Sequence, residues 1–220
     1  MSAPVLTIDG PSGAGKGTVS RLLARKLGWH YLDSGSIYRA LAIAVQEQAV
    51  DLENIQELVR TASTMALEFD CGDALVVRLD NQDITAQLGL ESTGYSASIV
   101  AALPEIRLVL LQKQRDFLKM PGLVADGRDM GTVVFPETPY KVFLTASNAK
   151  RAERRYKQLK EKGIDANLSS LAKEIEERDR RDRERITAPL SMASGALFID
   201  SSDMTIDAVI NQVLNHYFPA

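Results

Sequence analysis

The chain has 220 residues, 45% hydrophobic and 25% charged, a composition typical of a single soluble globular domain over residues 1–220. Its net charge of −3 and isoelectric point of about 5.5 argue against a general polynucleotide binder, which usually carries a net basic surface. One cysteine excludes an intramolecular disulfide, and there is neither a leader pattern nor an apolar run of about 18 residues. We therefore expect a cytoplasmic protein that does not span a membrane.

The first elements predicted along the chain are a strand, a glycine-rich loop and a helix. Residues 4–9 are apolar and rich in β-branched side chains, and residues 18–27 repeat apolar side chains at helical spacing. A second short strand is predicted at 29–32. Helices are predicted at 37–49 and at 52–66, the latter in two pieces.

Residues 67–90 differ in character from the segments around them. Two runs typical of strands, at 67–70 and 75–79, are joined by turn residues at 71–73, and a further turn is predicted at 81–83. This pattern predicts a small antiparallel β insert. Two helices follow, at 93–101 and 104–119.

In the last part of the chain, further short apolar strands alternate with helices. The strands are predicted at 123–126, 140–144 and 196–200, and the helices at 148–162, 169–183 and 205–217. Strands separated by helices predict an α/β fold with a five-stranded parallel sheet and helices on both faces. Ligands bind beyond the carboxyl ends of such strands.

The strongest motif follows the first strand and opens the first helix. It consists of Gly10, Pro11, Ser12, Gly13, Ala14, Gly15, Lys16, Gly17 and Thr18. This G-x-x-x-x-G-K pattern is typical of a phosphate-binding loop, in which backbone N–H groups and a helix N-terminus face the phosphates. Lys16 would reach the β- and γ-phosphates of ATP. The alternative is an ordinary glycine-rich turn.

The motif departs from the general pattern at Gly17, where a serine or threonine normally binds Mg²⁺. Thr18 comes one place later, so either its hydroxyl or water would complete the shell of a Mg²⁺ ion bound with ATP. Asp126, at the end of a predicted strand, would organise the ion through water or cap the next loop.

The helix predicted near 168–185 begins with an apolar stripe that then becomes charged. Leu168, Leu171 and Ile175 form the stripe, and further steps of three and four lead to Arg178, Asp182 and Arg185. Charges on an inward stripe need partners or a ligand, which favours an anion-binding cleft. The alternative is an exposed ladder of salt bridges. Arg180, Arg181 and Arg183 are expected on the exposed face.

Several segments carry a family resemblance that spans nearly the whole chain. The loop variant G-x-x-G-x-G-K-G-T resembles that of nucleoside monophosphate kinases. D-S-G-S-I-Y-R at 33–39, D-G-R-D-M-G at 126–131 and E-R-D-R-R-D-R at 177–183 resemble bacterial cytidylate kinases, as does the insert near 67–90. The resemblance implies an acceptor-binding region over about 34–102 and a helical lid over about 150–165.

The resemblance also implies roles for individual side chains. Residues implied in binding CMP are Ser34, Tyr38, Arg39, Ser98, Arg107, Arg128, Asp129, Arg178, Asp182 and Arg185. Arg39 and Arg128 would bind the acceptor phosphate, and Asp129 would accept a hydrogen bond from the N4 amine of cytosine. Lys16, Arg128 and Arg185 would act in the transfer. The alternative for the arginines is that they are ordinary surface charges. The alternative for Ser98 is that it is an ordinary helix serine without a ligand.

Three arginines open the basic helix at 148–162. Arg151, Arg154 and Arg155 would form part of a lid over ATP. The alternative is a solvated helix face. The sequence does not show which of the three arginines acts in phosphoryl transfer.

The resemblance implies an ATP:CMP or dCMP phosphotransferase of pyrimidine metabolism that acts on small nucleotides. We expect a monomer, because the sequence shows no surplus apolar stripe. Phosphoryl transfer to an anionic phosphate oxygen requires positioning and charge neutralisation more than a base. A kinase for UMP or AMP, and a regulatory ATPase without an acceptor, remain alternatives. The preferences between CMP and dCMP, and between ATP and GTP, stay open.

Overall fold

A computed structural model describes residues 3–71, 75–161, 163–185 and 187–219. The strands are β1 (Val5–Asp9), β2 (His30–Asp33), β3 (Leu67–Cys71), β4 (Leu75–Leu79), β5 (Gln82–Asp83), β6 (Leu123–Gly127), β7 (Tyr140–Thr145) and β8 (Leu197–Asp200). The α-helices are α1 (Lys16–Leu27), α2 (Ser34–Glu47), α3 (Ile55–Thr64), α4 (Thr85–Leu88), α5 (Glu91–Val100), α6 (Pro104–Arg115), α7 (Asn148–Glu161), α8 (Leu168–Glu184) and α9 (Ile206–Tyr217). A short π-helix spans Met130–Val134.

The described strands form two sheets. The larger has the order β2-β6-β1-β7-β8, and β7 pairs in parallel with both β1 and β8. All of β1 is buried, as expected for a strand inside a parallel sheet covered by helices. The smaller sheet is antiparallel, with the order β3-β4-β5. The predicted α/β fold, the five-stranded parallel sheet and the antiparallel insert are therefore confirmed.

Two local predictions are wrong. Gln82 and Asp83 form β5 instead of a turn, because Asp80 and Asn81 adopt φ values of 49° and 69° and reverse the chain by themselves. A single helix, α3, replaces the two pieces predicted over 52–66, and it begins where the side chain of Asn54 accepts the N–H of Glu57 at 3.2 Å.

Two predicted boundaries fall partly on residues outside the described ranges. The turn at 71–73 includes residues 72 and 73, which are not described, whereas Cys71 ends β3. The basic helix was expected to reach residue 162, which also lies outside the described ranges, and α7 is described to Glu161. In the described part of the chain, no single helix is long and apolar enough to cross a membrane.

The described residues divide into two compact units. The first contains Gly28–Leu123 with the segment up to Pro4. Within it, α2 packs on α3 and α5, α3 packs on α6, and the ring of Phe69 contacts Tyr31 and Phe117 edge to face at centroid distances of 6.4 and 5.4 Å. These contacts give the helices and the small sheet of this unit their own apolar core.

The second unit contains Val5–Leu27 and the chain from Val124 onward. Within it, α1 packs on α9, α7 packs on α8, and the π-helix packs on β1. Its core includes Ile8 of β1 and Val142 of β7, which lie opposite each other in the parallel ladder and are almost completely buried. The glycine-rich loop follows β1 directly.

Gly10 ends the extended run of β1 at a position that only glycine fits. Its φ is +149°, and a Cβ atom added there would lie 1.9 Å from the carbonyl oxygen of Leu144 on the neighbouring strand. The close approach of the two strands therefore depends on the missing side chain.

We expect Gly10→Ala to lower the free energy of unfolding by more than about 3 kcal/mol, because the methyl group would overlap backbone that cannot move without breaking the ladder. Gly28→Ala is the matched control. Gly28 also has a positive φ, +66°, but a Cβ there would meet nothing within 4 Å. That variant should lose only about 1–2 kcal/mol. Equal losses in urea denaturation would contradict the steric argument.

Candidate active site

The glycine-rich loop between β1 and α1 has the conformation expected of a phosphate-binding loop. Gly13 and Gly15 have φ values of +75° and +91°, which suit glycine and turn the backbone tightly. Lys16 is buried, and its Nζ donates to the carbonyl oxygen of Pro11 at 2.9 Å. The lysine thus closes the loop on itself, with its ammonium group held at the start of α1.

Arg151 fastens the same loop to two helices. Its guanidinium donates to the carbonyl oxygens of Ser12 and Ala146, both at 3.0 Å, and forms a two-pronged ion pair with Asp179 of α8 at 3.0 and 2.5 Å. The two side chains are only 6% and 5% exposed. Both charges are therefore desolvated and hydrogen-bonded, and Arg151 joins α7, α8 and the loop.

Arg154 and Ser201 bind the loop one step further along. Arg154 donates to the carbonyl oxygen of Ala14 at 3.3 Å and to that of Ser201 at 2.6 Å. The buried Ser201 hydroxyl lies 3.3 Å from the Ala14 oxygen and donates to the carbonyl oxygen of Thr145 at 2.9 Å. Of these three arginines, Arg151 and Arg154 therefore contact the glycine-rich loop, and Arg155 is exposed.

The inward stripe of α8 differs from the predicted one. Leu171, Ile175 and Asp179 are buried at successive steps of four residues, whereas Leu168 and Arg178 are exposed. The predicted step from Ile175 to Arg178 therefore falls on Asp179 instead. Sequence reasoning missed Asp179, although its spacing of four from Ile175 was a usable signal. Arg180, Arg181 and Arg183 are exposed, as predicted.

Asp182 lies near the end of α8 and binds Arg128 from the loop after β6. The Nε of Arg128 donates to Oδ2 of Asp182 at 2.7 Å, and the two side chains are 17% and 18% exposed. Burial favours the neutral acid, but the charge and hydrogen bond of Arg128, with the charges of Arg178 and Arg185, outweigh it and hold the pKa of Asp182 below its ordinary value. Arg185 donates to the carbonyl oxygen of Ala188 at 2.7 Å.

The loop carrying Arg128 is bound to the end of β1 by Asp9. The two carboxylate oxygens of Asp9 accept the N–H groups of Met130 at 2.9 Å and Gly131 at 2.7 Å. Asp126, near the end of β6, and Asp129, in the loop that follows, are both buried. Sequence analysis treated Asp9 only as the end of a strand, because its partners lie more than 120 residues away.

In the first unit, Ser34 and Arg39 belong to the start of α2. The helix begins earlier than the predicted residue 37, because Asp33 accepts the N–H of Ser36 at 3.2 Å and its hydroxyl at 2.6 Å. Ser34 is buried in the first turn. Arg39 is half-buried and donates to the carbonyl oxygen of Leu88 in α4.

Two other candidates of the first unit, Arg107 and Tyr38, lie together, and a third, Ser98, is bonded within its own helix. The guanidinium of Arg107 is 5.8 Å from the ring centroid of Tyr38 and donates to the carbonyl oxygen of Ala101 at 3.4 Å. Ser98 is exposed, and its hydroxyl donates to the carbonyl oxygen of Tyr95 at 2.8 Å. That bond within the helix satisfies the hydroxyl of Ser98 by the ordinary pattern of helix serines.

The candidate metal ligands are the hydroxyl of Thr18 and the carboxylate of Asp126. Both are oxygen donors of the kind Mg²⁺ prefers, and Asp126 is buried at the carboxyl end of β6. Across residues 3–71, 75–161, 163–185 and 187–219, no group of three or more His, Cys, Asp or Glu residues is arranged to hold a metal ion.

The central strand of the parallel sheet leads into a glycine-rich loop, a lysine opens the next helix, and arginines bind the loop. This arrangement is typical of α/β proteins of the P-loop class. A family model described as cytidylate kinase matches residues 6–218. The chain belongs to the cytidylate kinase family.

Curated relatives agree with that assignment over almost the full length. A cytidylate kinase of Methylococcus capsulatus is 56% identical over 212 residues, which cover 96% of both chains. One from Colwellia psychrerythraea is 52% identical, covering 97% of this chain and 95% of the relative. One from Photobacterium profundum is 56% identical, covering 96% and 92%.

We expect Arg151→Met to lower the free energy of unfolding by about 3–5 kcal/mol, because it leaves the buried carboxylate of Asp179 without its counterion. Arg155→Met is the matched control, since it removes an exposed arginine from the same helix and should change stability by less than about 0.5 kcal/mol. Urea denaturation at pH 7 measures both. Similar stabilities of the two variants would show that the ion pair contributes little.

Stability should also depend on the protonation of Asp9. Burial raises the pKa of Asp9 to about 6, with a small further rise from the charge of Asp129, against the two backbone hydrogen bonds and the charge of Lys16. A raised pKa in the folded state means that stability is greatest when the acid is protonated, below about pH 4. It then declines by about 3 kcal/mol up to the folded pKa.

The test is to measure free energies of unfolding from pH 4 to pH 7.5 for the parent protein and for Asp9→Asn, which does not titrate. The difference between the two curves should change by about 3 kcal/mol in favour of Asn as the pH rises. A constant difference would show that Asp9 has an ordinary pKa.

Proposed function

We propose that this protein transfers the γ-phosphate of ATP to CMP or dCMP. The observation that carries the proposal is the glycine-rich loop, with Lys16 at its end and its carbonyls bound by Arg151 and Arg154, in a chain more than half identical to proteins named cytidylate kinase. We further propose a cytoplasmic monomer that acts in pyrimidine nucleotide metabolism, in keeping with its acidic composition and single cysteine.

ATP would be bound by residues 10–18. The carbonyl oxygens of Pro11, Ser12 and Ala14 already accept hydrogen bonds from side chains, so the loop is shaped before a ligand arrives. Backbone N–H groups at the start of α1 would then face the phosphates, and the Lys16 ammonium would exchange the Pro11 carbonyl for phosphate oxygens. Preorganisation of this kind lowers the cost of binding a highly charged ligand.

Mg²⁺ bound with ATP would neutralise charge on the transferring phosphoryl group, and Thr18 and Asp126 are the side chains proposed to hold it directly or through water. The protein itself would contribute positioning and positive charge. Arg128 and Arg185 are the further candidates for stabilising the transferring group. No general base is required, because the attacking oxygen of the monophosphate is already anionic.

The acceptor assignments follow from the family resemblance. In the first unit we propose Arg39 for the monophosphate, Tyr38 for the ribose, Arg107 and Ser98 for N3 and O2 of cytosine, and Ser34 as a further contact. The position of Arg107 over the Tyr38 ring supports a joint role for these two side chains. Arginine suits a terminal phosphate because its planar fork pairs with two oxygens.

In the second unit we propose Arg128 for the monophosphate and Asp129 for the N4 amine of cytosine. Arg178 and Asp182 are proposed for the ribose. The hydrogen bond from Arg128 to Asp182 supports placing both side chains at the acceptor, because the carboxylate orients the guanidinium. A carboxylate at 129 favours the amine of cytosine and repels the O4 of uracil.

We propose that Arg154 and the exposed Arg155 are the lid arginines that would contact ATP. Arg151 has a different part, since its guanidinium is already engaged by Asp179 and the loop carbonyl of Ser12. The lid over about 150–165 would thus have a fixed base at Arg151 and a contact to the donor further along α7.

The decisive experiment is a panel of acceptors with ATP and Mg²⁺, in which the release of ADP is followed for CMP, dCMP, UMP, AMP and GMP. We expect kcat/KM to be highest for CMP or dCMP, lower for UMP, and ATP consumption without an acceptor to stay at background. Lys16→Ala, checked for retained folding by circular dichroism, is the control and should abolish most turnover.

Two results would overturn the proposal. Dominant turnover of AMP would show that the acceptor is misassigned. ATP consumption at one rate with and without every acceptor would instead indicate a regulatory ATPase.

A further inference from the structure

We propose that Asp9 is a positioning residue for recognition of the acceptor base, because its carboxylate fixes the loop that carries Arg128 and Asp129. This inference rests on the proposed function. Asp9 would touch neither nucleotide. It would act through the loop, and its loss should appear as a weaker preference for CMP over UMP.

The carboxylate of Asp9 satisfies the backbone where the loop enters the π-helix. The N–H groups of Met130 and Gly131 open this short helix, and at a helix start such groups have no acceptor within the helix. Asp9 accepts both, one on each oxygen, at 2.9 and 2.7 Å. The carbonyl of Asp129 is used within the helix turn, by the N–H groups of Val133 and Val134. The base-reading residue is therefore next to the point of attachment.

The loop lies so close to β1 at Gly131 that it has little room to move. A Cβ atom added to Gly131 would lie 2.9 Å from Oγ1 of Thr7 and 3.4 Å from Oδ2 of Asp9. Glycine is thus required by the short distance between loop and strand. A contact this tight, together with two charge-assisted hydrogen bonds, restricts the position of the loop.

The strand end is held independently of the loop. Asp9 lies opposite Phe143 in the parallel ladder with β7, and Gly10 approaches the backbone of Leu144. The glycine-rich loop that follows is bound by Arg151 and Arg154. Removing the carboxylate should therefore displace the loop at 127–131 while ATP binding is largely retained.

Charge at Asp9 also acts on its neighbours. Asp129 and Lys16 are the charged groups whose fields act on this carboxylate, the first unfavourably and the second favourably. Asn in place of Asp9 keeps the shape, removes the negative charge and points an amide N–H₂ at one of two N–H donors. The loop would then lose one of its two attachments at almost constant volume.

A displaced Asp129 should cost CMP more than UMP. Its carboxylate would accept a hydrogen bond from the N4 amine of cytosine and would repel the O4 of uracil. Both effects require the carboxylate within hydrogen-bonding distance of the base. Movement of the loop weakens both the hydrogen bond to the N4 amine of cytosine and the repulsion of the O4 of uracil. The preference between the two acceptors therefore reports the position of the loop, which overall stability does not.

The experiment compares kcat and KM for CMP, UMP and ATP in the parent protein, Asp9→Asn and the reference variant Asp129→Ala. For Asp9→Asn we expect kcat/KM for CMP to fall about tenfold, the effect of one lost charge-assisted hydrogen bond, and the CMP-to-UMP preference to fall about fivefold. KM for ATP should stay within about twofold. Asp129→Ala should lose the same preference more completely.

Val142→Ala is the control for a purely structural effect. Val142 is buried in β7 opposite Ile8, so its truncation destabilises the same sheet by about 2 kcal/mol without touching the carboxylate. This variant should keep the CMP-to-UMP preference of the parent. An unchanged preference in Asp9→Asn, or an equal loss in Val142→Ala, would overturn the inference.

Gly131→Ala tests the same contact from the loop side should Asp9→Asn fail to fold. Its methyl group would push the loop away from Thr7 and Asp9, so the preference for CMP should again fall. Adding Thr7→Ala removes the nearest obstructing atom and should restore part of the preference. No restoration, or no loss in the single variant, would contradict the inference.

The outcome for the parent protein separates this inference from the proposed function. A parent protein that prefers CMP, with variants that prefer it equally, overturns only the role of Asp9. A parent protein that does not phosphorylate CMP overturns the proposed function and the inference together.

Discussion

The second unit depends on one set of interactions, the hydrogen bonds from side chains to the carbonyl oxygens of the glycine-rich loop. A loop rich in glycine has many accessible conformations, and fixing one of them costs conformational entropy. Lys16, Arg151 and Arg154 each donate to a loop carbonyl, and the hydroxyl of Ser201 lies beside one of them. Three of the four groups are cationic, so the same contacts surround the loop with the charge that a polyphosphate requires.

The second unit buries several charged side chains, and two of them, Lys16 and Arg151, bind this loop. Asp9, Lys16, Asp126, Asp129, Arg151 and Asp179 are all less than a tenth exposed. Burying charges is expensive unless each has a partner, and a hydrophobic pair often gives equal stability. The pair of Arg151 and Asp179 neutralises both charges and holds two helices against the loop. The carboxylate of Asp9 accepts two backbone N–H groups that have no acceptor within the π-helix.

The local chemistry of the sequence was sufficient to predict most elements, and its failures have identifiable causes. Apolar runs and periodicity predicted the order of the five parallel strands and of the longer helices, but not β5, α4 or the π-helix. The boundaries moved where a polar side chain capped a helix, as at Asp33 and Asn54. The turn near 81–83 was misjudged because Asp80 and Asn81 adopt the left-handed conformation, so the following residues were released to form β5.

The sequence by itself determined the α/β class, the glycine-rich loop with its lysine, and the segments that carry the family resemblance. These follow from local spacing and residue type, which the printed chain contains in full. Only the tertiary structure decided that Arg151 pairs with Asp179, that Arg154 binds the loop, and that Asp9 holds the backbone at 130–131. Those partners are separated by 28 to 140 residues, and the pattern around each gives no sign of the other. Pairing at such distances depends on which strand lies beside which, and that order is set by packing of the whole sheet.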